Sequence, residues 1–152
     1  MSGTNVTSLI KNGANVNIKG KKGFTPLHFA ARSSQFWLAK ENTLTLIKNG
    51  ADVNAQSDED GTPLHQAVSK KNNEIVKILI ANGADVDAKD KLNQTPFHLA
   101  LFNYSNKEGR IITEILTNSQ ANVNVLANEG GYSPLHGAIT MGNEYCSMGI
   151  HG

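Results

Sequence analysis

Thr62-Pro63-Leu64-His65-Gln66-Ala67-Val68 reads as the opening of a helix. Thr62 offers a capping oxygen, and Pro63 suits the first helical position, where a missing N–H costs nothing. Leu64, Ala67 and Val68 then fall on one face at helical spacing. Three variants of the phrase occur elsewhere: Thr25-Pro26-Leu27-His28, Thr95-Pro96-Phe97-His98 and Ser133-Pro134-Leu135-His136. Their histidines are 37, 33 and 38 residues apart. A period near 33 residues marks a solenoid whose units stack on their neighbours.

Downstream of the opening, Glu74-Ile75-Val76-Lys77-Ile78-Leu79-Ile80 predicts a second helix, with Val76, Leu79 and Ile80 as its buried stripe. Asn82-Gly83 stops it, because glycine accepts the left-handed conformation at little cost. Ala84-Asp85-Val86-Asp87-Ala88-Lys89-Asp90 leads on as an extended connector, and its pattern recurs as Gly13-Ala14-Asn15-Val16-Asn17, Gly50-Ala51-Asp52-Val53-Asn54 and Ala121-Asn122-Val123-Asn124. Each unit is therefore helix, turn, helix, then a projecting loop or hairpin. Small residues such as Ala67 and Ala84 let neighbours approach, and no unit has enough apolar surface to fold alone.

Gly61-Thr62-Pro63-Leu64-His65-Gln66-Ala67 and Asn49-Gly50-Ala51-Asp52-Val53-Asn54-Ala55 resemble the opening and the connector of an ankyrin repeat. The chain resembles the ankyrin-repeat family over almost its whole length. The resemblance implies an all-α ankyrin-repeat solenoid of paired antiparallel helices with projecting hairpin loops, filling residues 1–152. A partial unit at 1–22 precedes complete repeats at 23–60, 61–93 and 94–131, and an incomplete or atypical repeat follows at 132–152. The pattern is broken in four places. Residues 6–11 retain only an outer helix. About four extra residues enter at 33–42, bringing Phe36 and Trp37. A similar extension occupies 102–109, with an extra glycine at Gly130-Gly131, and 142–152 show no convincing second helix. Either the tail folds back atypically or the chain belongs to a longer array, and the longer array is the expectation.

Composition narrows the function. Only 39% of residues are apolar, but the repeats concentrate them, which argues against disorder. No apolar stretch is long enough for a membrane span, and the N-terminus lacks the features of a signal peptide. Cys146 is the single cysteine, so an internal disulfide is impossible and a reducing compartment fits. Cytoplasmic residence is the expectation. The Asn/Lys/Ile-rich wording also resembles ankyrin proteins of intracellular bacteria and large viruses, for which a secreted effector would work in host cytoplasm. The net charge of +1 hides a gradient: residues 1–50 carry seven Lys/Arg and one acidic residue, whereas 96–152 carry two and four.

Several groups invite chemical readings that their spacing does not support. The four repeat histidines sit on separate units, unlike a helix-local metal pair, and the family resemblance implies that they hold the turn and helix start. His136 and Cys146 lack an orienting third group for nucleophilic catalysis. Asp85, Asp87 and Asp90 lack the other oxygens of a calcium loop, and the 20–23 segment has no phosphate-binding signature. Lys19, Lys21 and Lys22 form a basic patch without the wider basic, aromatic stripe of a nucleic-acid surface. The expectation is a non-enzyme that needs no metal or cofactor.

The resemblance implies partner contacts on the concave first helices and the hairpin tips. Phe29, Arg32, Gln66, Ser69, Lys70, Leu99 and Phe102 map to the former. Tip candidates are Lys19, Lys21, Lys22, Gln56, Asp58, Glu59, Lys89, Lys91, Leu92, Asn128 and Tyr132. The insertions add Trp37, either a partner anchor or a lid on the next repeat, and Tyr104. Asn17, Asn54 and Asn124 match a connector position that some family members present for hydroxylation, and Asp87 departs from it. Their ordinary role is to shape turns. The expected function is a protein–protein interaction scaffold that recruits or blocks a protein partner. No nucleic acid and no direct membrane insertion are expected, and a monomer is favoured. The alternative is a structural or assembly module of a larger enzyme, channel, toxin or secreted effector.

Overall fold

The computed structural model describes residues 5–59, 61–127 and 130–145, with side chains left aside for 140–145. Cys146, Asn128, Asp60 and the 146–152 tail therefore lie outside the described residues. Eight α-helices run through those described: α1 (Val6–Lys11), α2 (Pro26–Ala31), α3 (Phe36–Lys48), α4 (Pro63–Ser69), α5 (Asn73–Ala81), α6 (Pro96–Phe102), α7 (Lys107–Asn118) and α8 (Pro134–Tyr145).

They form two rows. The inner row is α2, α4, α6 and α8, each packed on the next, and the outer row is α1, α3, α5 and α7. Within each unit an inner helix pairs with the outer helix that follows it: α2 with α3, α4 with α5, α6 with α7. One core runs through the stack between the rows. Leu27, Leu64 and Phe97 come from one repeat position of the inner helices, and Leu46, Leu79 and Leu116 from one position of the outer helices. Buried alanines, among them Ala31, Ala67, Ala84 and Ala100, allow the close spacing. The stripe of α5 is rotated from the sequence expectation. Ile75, Val76 and Leu79 are fully buried, whereas Ile80 is half-buried, because the face turned to the inner row starts one residue earlier.

A histidine joint holds consecutive units. In α2 the Thr25 hydroxyl caps the backbone N–H of His28, while His28 Nδ1 accepts the Thr25 N–H at 3.1 Å. A ring nitrogen that accepts a backbone N–H carries no proton, so the neutral ring holds its hydrogen on Nε2. That Nε2 donates to the Gly61 carbonyl of the next unit at 3.0 Å. His65 repeats the arrangement with Thr62 and the Gln94 carbonyl, and His98 with Thr95 and the Val125 carbonyl. Gly61 has φ +74°, and a Cβ there would meet the His65 ring at 2.7 Å, so glycine is needed on both counts.

A second clamp joins the connectors. Asn17 Nδ2 donates to the Gly50 carbonyl, and Asn17 Oδ1 accepts the Asp52 N–H. Asn54 does the same with Gly83 and Asp85. At the third position Asp87 accepts the Asn122 N–H at 2.7 Å but has no proton for the other half of the clamp. The glycine of the helix stop is also replaced there, by Gln120 at φ 63°.

Both insertions lengthen outer helices. α3 has 13 residues against nine in α5, and the extra turn carries Phe36 and Trp37 at its N-terminal end. Trp37 is 72% exposed, so it is not a lid on the next repeat. In the second insertion Asn106 caps α7 by accepting the Gly109 N–H at 2.8 Å. α8 continues through Gly142 to Tyr145, longer than the six- and seven-residue inner helices before it.

Burial holds the His65 and His98 rings below the ordinary histidine value of 6.5, although backbone carbonyls of the next unit and nearby Asp90 pull upward. The unfolded chain takes up protons at these rings before the folded chain does. Stability is therefore full above pH 6.5 and falls as pH drops below it toward the depressed folded values. Thermal unfolding followed by circular dichroism should show Tm falling between about pH 7.5 and about pH 5.5, and His65→Asn should weaken that dependence. A Tm independent of pH in both proteins would contradict the joint. Asp87→Asn restores the missing donor opposite Gln120 and should raise stability by about 1 kcal/mol in denaturant titration.

Candidate functional site

Consecutive connector turns are tied edge to edge on the inner-row side of the stack. The turn of the second connector closes through Ser57 N–H to the Gly61 carbonyl, and the third through Asp90 N–H to the Gln94 carbonyl, each at 2.9 Å. Asp90 Oδ1 also accepts the N–H groups of Leu92 and Gln94, which fixes the third tip and holds Leu92 outward. Backbone bonds from Asp58 N–H to the Lys22 carbonyl and from Lys91 N–H to the Glu59 carbonyl connect neighbouring tips. Above them Glu59 stands between two ammonium groups, Lys22 at 4.0 Å and Lys91 at 3.8 Å. These exposed pairs stabilise the fold little, on the order of 0–1 kcal/mol each. Their consequence is a charge ladder of alternating sign along the rim.

Between this rim and the inner helices lies an open groove of about 460 Å³. Glu59, Asp90, Lys91, Leu92 and Gln94 supply its tip wall, and His65, Gln66, Ser69 and Leu99 its helix wall. The walls mix apolar and polar groups. An enclosed, mostly apolar cavity would suit a small molecule; this open trough offers a polypeptide both side-chain contacts and charge pairing. Both ring nitrogens of His65 are engaged, one with Thr62 and one with Gln94, so the imidazole is not poised as a base or a ligand. Among the described residues no group of three or more His, Cys, Asp or Glu is placed to hold a metal.

The residues singled out in the sequence separate into several places. Gln66, Ser69, Lys91 and Leu99 line the groove, with Lys22 and Asp58 on its rim and exposed Lys70 just past the end of α4. Gln66, expected on the open helix surface, is only 8% exposed. Phe29, at the corresponding position of α2, is 58% exposed. Phe29 packs 5.6 Å from the Phe24 ring, and the Arg32 guanidinium lies 5.6 Å over the same ring, forming an aromatic corner at that end of the row. Lys21 is exposed beside it, in a 3-10 turn spanning Lys21–Gly23.

Phe102 and Tyr132 meet across a narrow crevice between α6 and α8, lined also by Leu101, Pro134 and Gly137. Tyr104 is half-buried in the turn after α6. Trp37 belongs to neither surface. It sits on the first turn of an outer helix, and in a helical hairpin that end lies away from the connector tips. The two insertions also do not adjoin, since α5 stands between α3 and α7 in the outer row. Asp90 and Gln94 were missed as site residues. An Asp four residues before the Gln that precedes Thr-Pro was a usable turn signal.

Two descriptions of known families match this chain: an ankyrin repeat over residues 22–58 and ankyrin repeats in many copies over residues 46–100. Together they cover 22–100, just over half of the 152 residues. No individual curated protein matches the chain at a significant level.

Proposed function

The chain belongs to the ankyrin-repeat family, a non-catalytic scaffold for protein interaction, and from that premise we propose that it recruits or blocks one protein partner along the groove between α4, α6 and the connector tips. The observation that carries this reading is the continuity of the groove with the charge ladder. Leu92 and Leu99 provide apolar contact, Ser69 leaves room for a partner side chain, and Lys22, Glu59 and Lys91 set the register of an oppositely patterned segment. Because the tips and inner helices are cross-linked by hydrogen bonds, little conformational entropy is lost on binding. No described helix is long and apolar enough to cross a membrane. We place the activity in a reducing cytoplasm, that of a host if the protein is secreted, on the basis of its cysteine usage. The exposed apolar end of α8 favours a second reading, an assembly module.

The groove is tested with two variants at exposed positions, Ser69→Arg/Leu92→Asp and Trp37→Ala. A partner isolated with the wild-type chain and then purified should bind the groove variant at least about tenfold more weakly, by calorimetry. Trp37→Ala should bind within about twofold of wild type. Undiminished binding by the groove variant together with loss in Trp37→Ala would move the site to the outer row and overturn the proposal.

A further inference from the structure

Both insertions lengthen the stack on the same side. Measured from the buried leucines Leu46, Leu79 and Leu116, α3 starts ten residues earlier, α5 six and α7 nine. The first turns of α3 and α7 therefore stand about 5 Å past the start of α5. This is the turn end of each helical hairpin, opposite the connector tips. Phe36 and Trp37 occupy the extra turn of α3 and are 68% and 72% exposed, whereas Ala39, at the level where α5 begins, is fully buried. A neighbouring unit built to the length of α4 and α5, on either side, ends a turn short of the aromatic pair.

The adjoining turns are basic. Lys70 and Lys71 form the turn between α4 and α5, and Lys107 and Arg110 lie in the first turn of α7; Lys70, Lys107 and Arg110 are exposed. Two acids share these turns, Glu74 and Glu108, and Glu74 is neutralised by Lys40 at 2.7 Å. No charge of either sign falls within 33–39, the stretch that carries the aromatic pair. The tips on the opposite side alternate in sign instead, through Lys22, Glu59 and Lys91. We propose that the turn end docks on the surface of an anionic phospholipid bilayer, with Phe36 and Trp37 entering the headgroup layer and Lys70, Lys71, Lys107 and Arg110 meeting the lipid anions. This goes beyond the groove reading and uses the other side of every unit.

Shape and charge together favour a bilayer. An aromatic pair on a projecting turn needs a matching pocket in a folded partner, but it sinks into a soft interface wherever it lands. Indole suits that boundary, because its ring is apolar and its N–H polar. Long basic side chains bury their stems while their charges stay at the phosphates. A small apolar contact alone attaches only marginally, and a basic patch beside it supplies the second signal that lasting attachment needs. With neighbouring helices about 8–10 Å apart, the aromatic pair and the cations of α7 lie within about 20 Å, so one patch of membrane meets both. The contact is superficial, since no described helix is able to cross a membrane. Docked in this way, the tips and the groove face away from the bilayer and stay open to a protein partner.

Trp37 is the only tryptophan of the chain, so its own emission reports the contact. The full chain is titrated with vesicles of phosphatidylcholine alone and with vesicles of phosphatidylcholine and phosphatidylserine in equal parts. With the anionic vesicles the emission should shift to the blue and the protein should co-sediment, at least about tenfold more tightly than with the neutral ones, and added salt should weaken the binding. Two variants, Lys70→Glu/Lys107→Glu and Phe36→Ser/Trp37→Ser, are compared by co-sedimentation after circular dichroism has shown native helicity in both. Each should bind anionic vesicles at least about tenfold more weakly. Equal binding to neutral vesicles, binding to neither, or undiminished binding by either variant would overturn the proposal. So would a blue shift produced by soluble polyglutamate and not by vesicles, which would make this end a site for an acidic polypeptide.

Discussion

Each unit of this protein is fixed to the next through a neutral imidazole. The Nδ1 of His28, His65 and His98 accepts the N–H that begins its own helix, and Nε2 donates to the backbone of the following unit. A buried polar group without a partner costs free energy, so the ring binds both neighbours or destabilises both. Helix start, connector conformation and unit spacing are set by the same group. Gly61 shows how tightly they are coupled: its carbonyl accepts the Nε2–H hydrogen bond of one histidine while its α-carbon lies against the ring of the next.

That rigidity is what makes a groove out of a row of loops. A short turn on a polar tip would fluctuate if it stood alone. Here the tips are bonded to one another through Asp58 and Lys22 and through Lys91 and Glu59, and the asparagine clamp repeats the cross-link on the connector behind them. The ion pairs above contribute little stability but fix the pattern of charge offered to a partner.

The departures from the repeat show where local chemistry was replaced without loss of the fold. Asp87 keeps the accepting half of the asparagine clamp and gives up the donating half. Gln120 adopts the left-handed conformation that glycine holds in the two units before it. Both changes fall at one junction, between the unit of residues 61–93 and the unit of residues 94–131, and the stack tolerates them because the core leucines and histidine joints of both units are intact.

The sequence by itself determined the architecture. Thr-Pro-Leu-His and Asn-Gly-Ala are local signals for capping, helix initiation and helix stop, and their recurrence could build only a stack. It located the tips and inner helices for the same reason, and it marked the insertions by length. It could not say which side of a helix meets a neighbour when the period leaves two choices. Ile75 rather than Ile80 completes the buried stripe of α5, and Gln66 is buried while Phe29, at the same repeat position, is exposed. Nor could it place Trp37 on the outer row, away from the groove. Those outcomes depend on how one helix is rotated against the next. That rotation is decided by packing between residues about 33 positions apart, across a contact that no local pattern encodes.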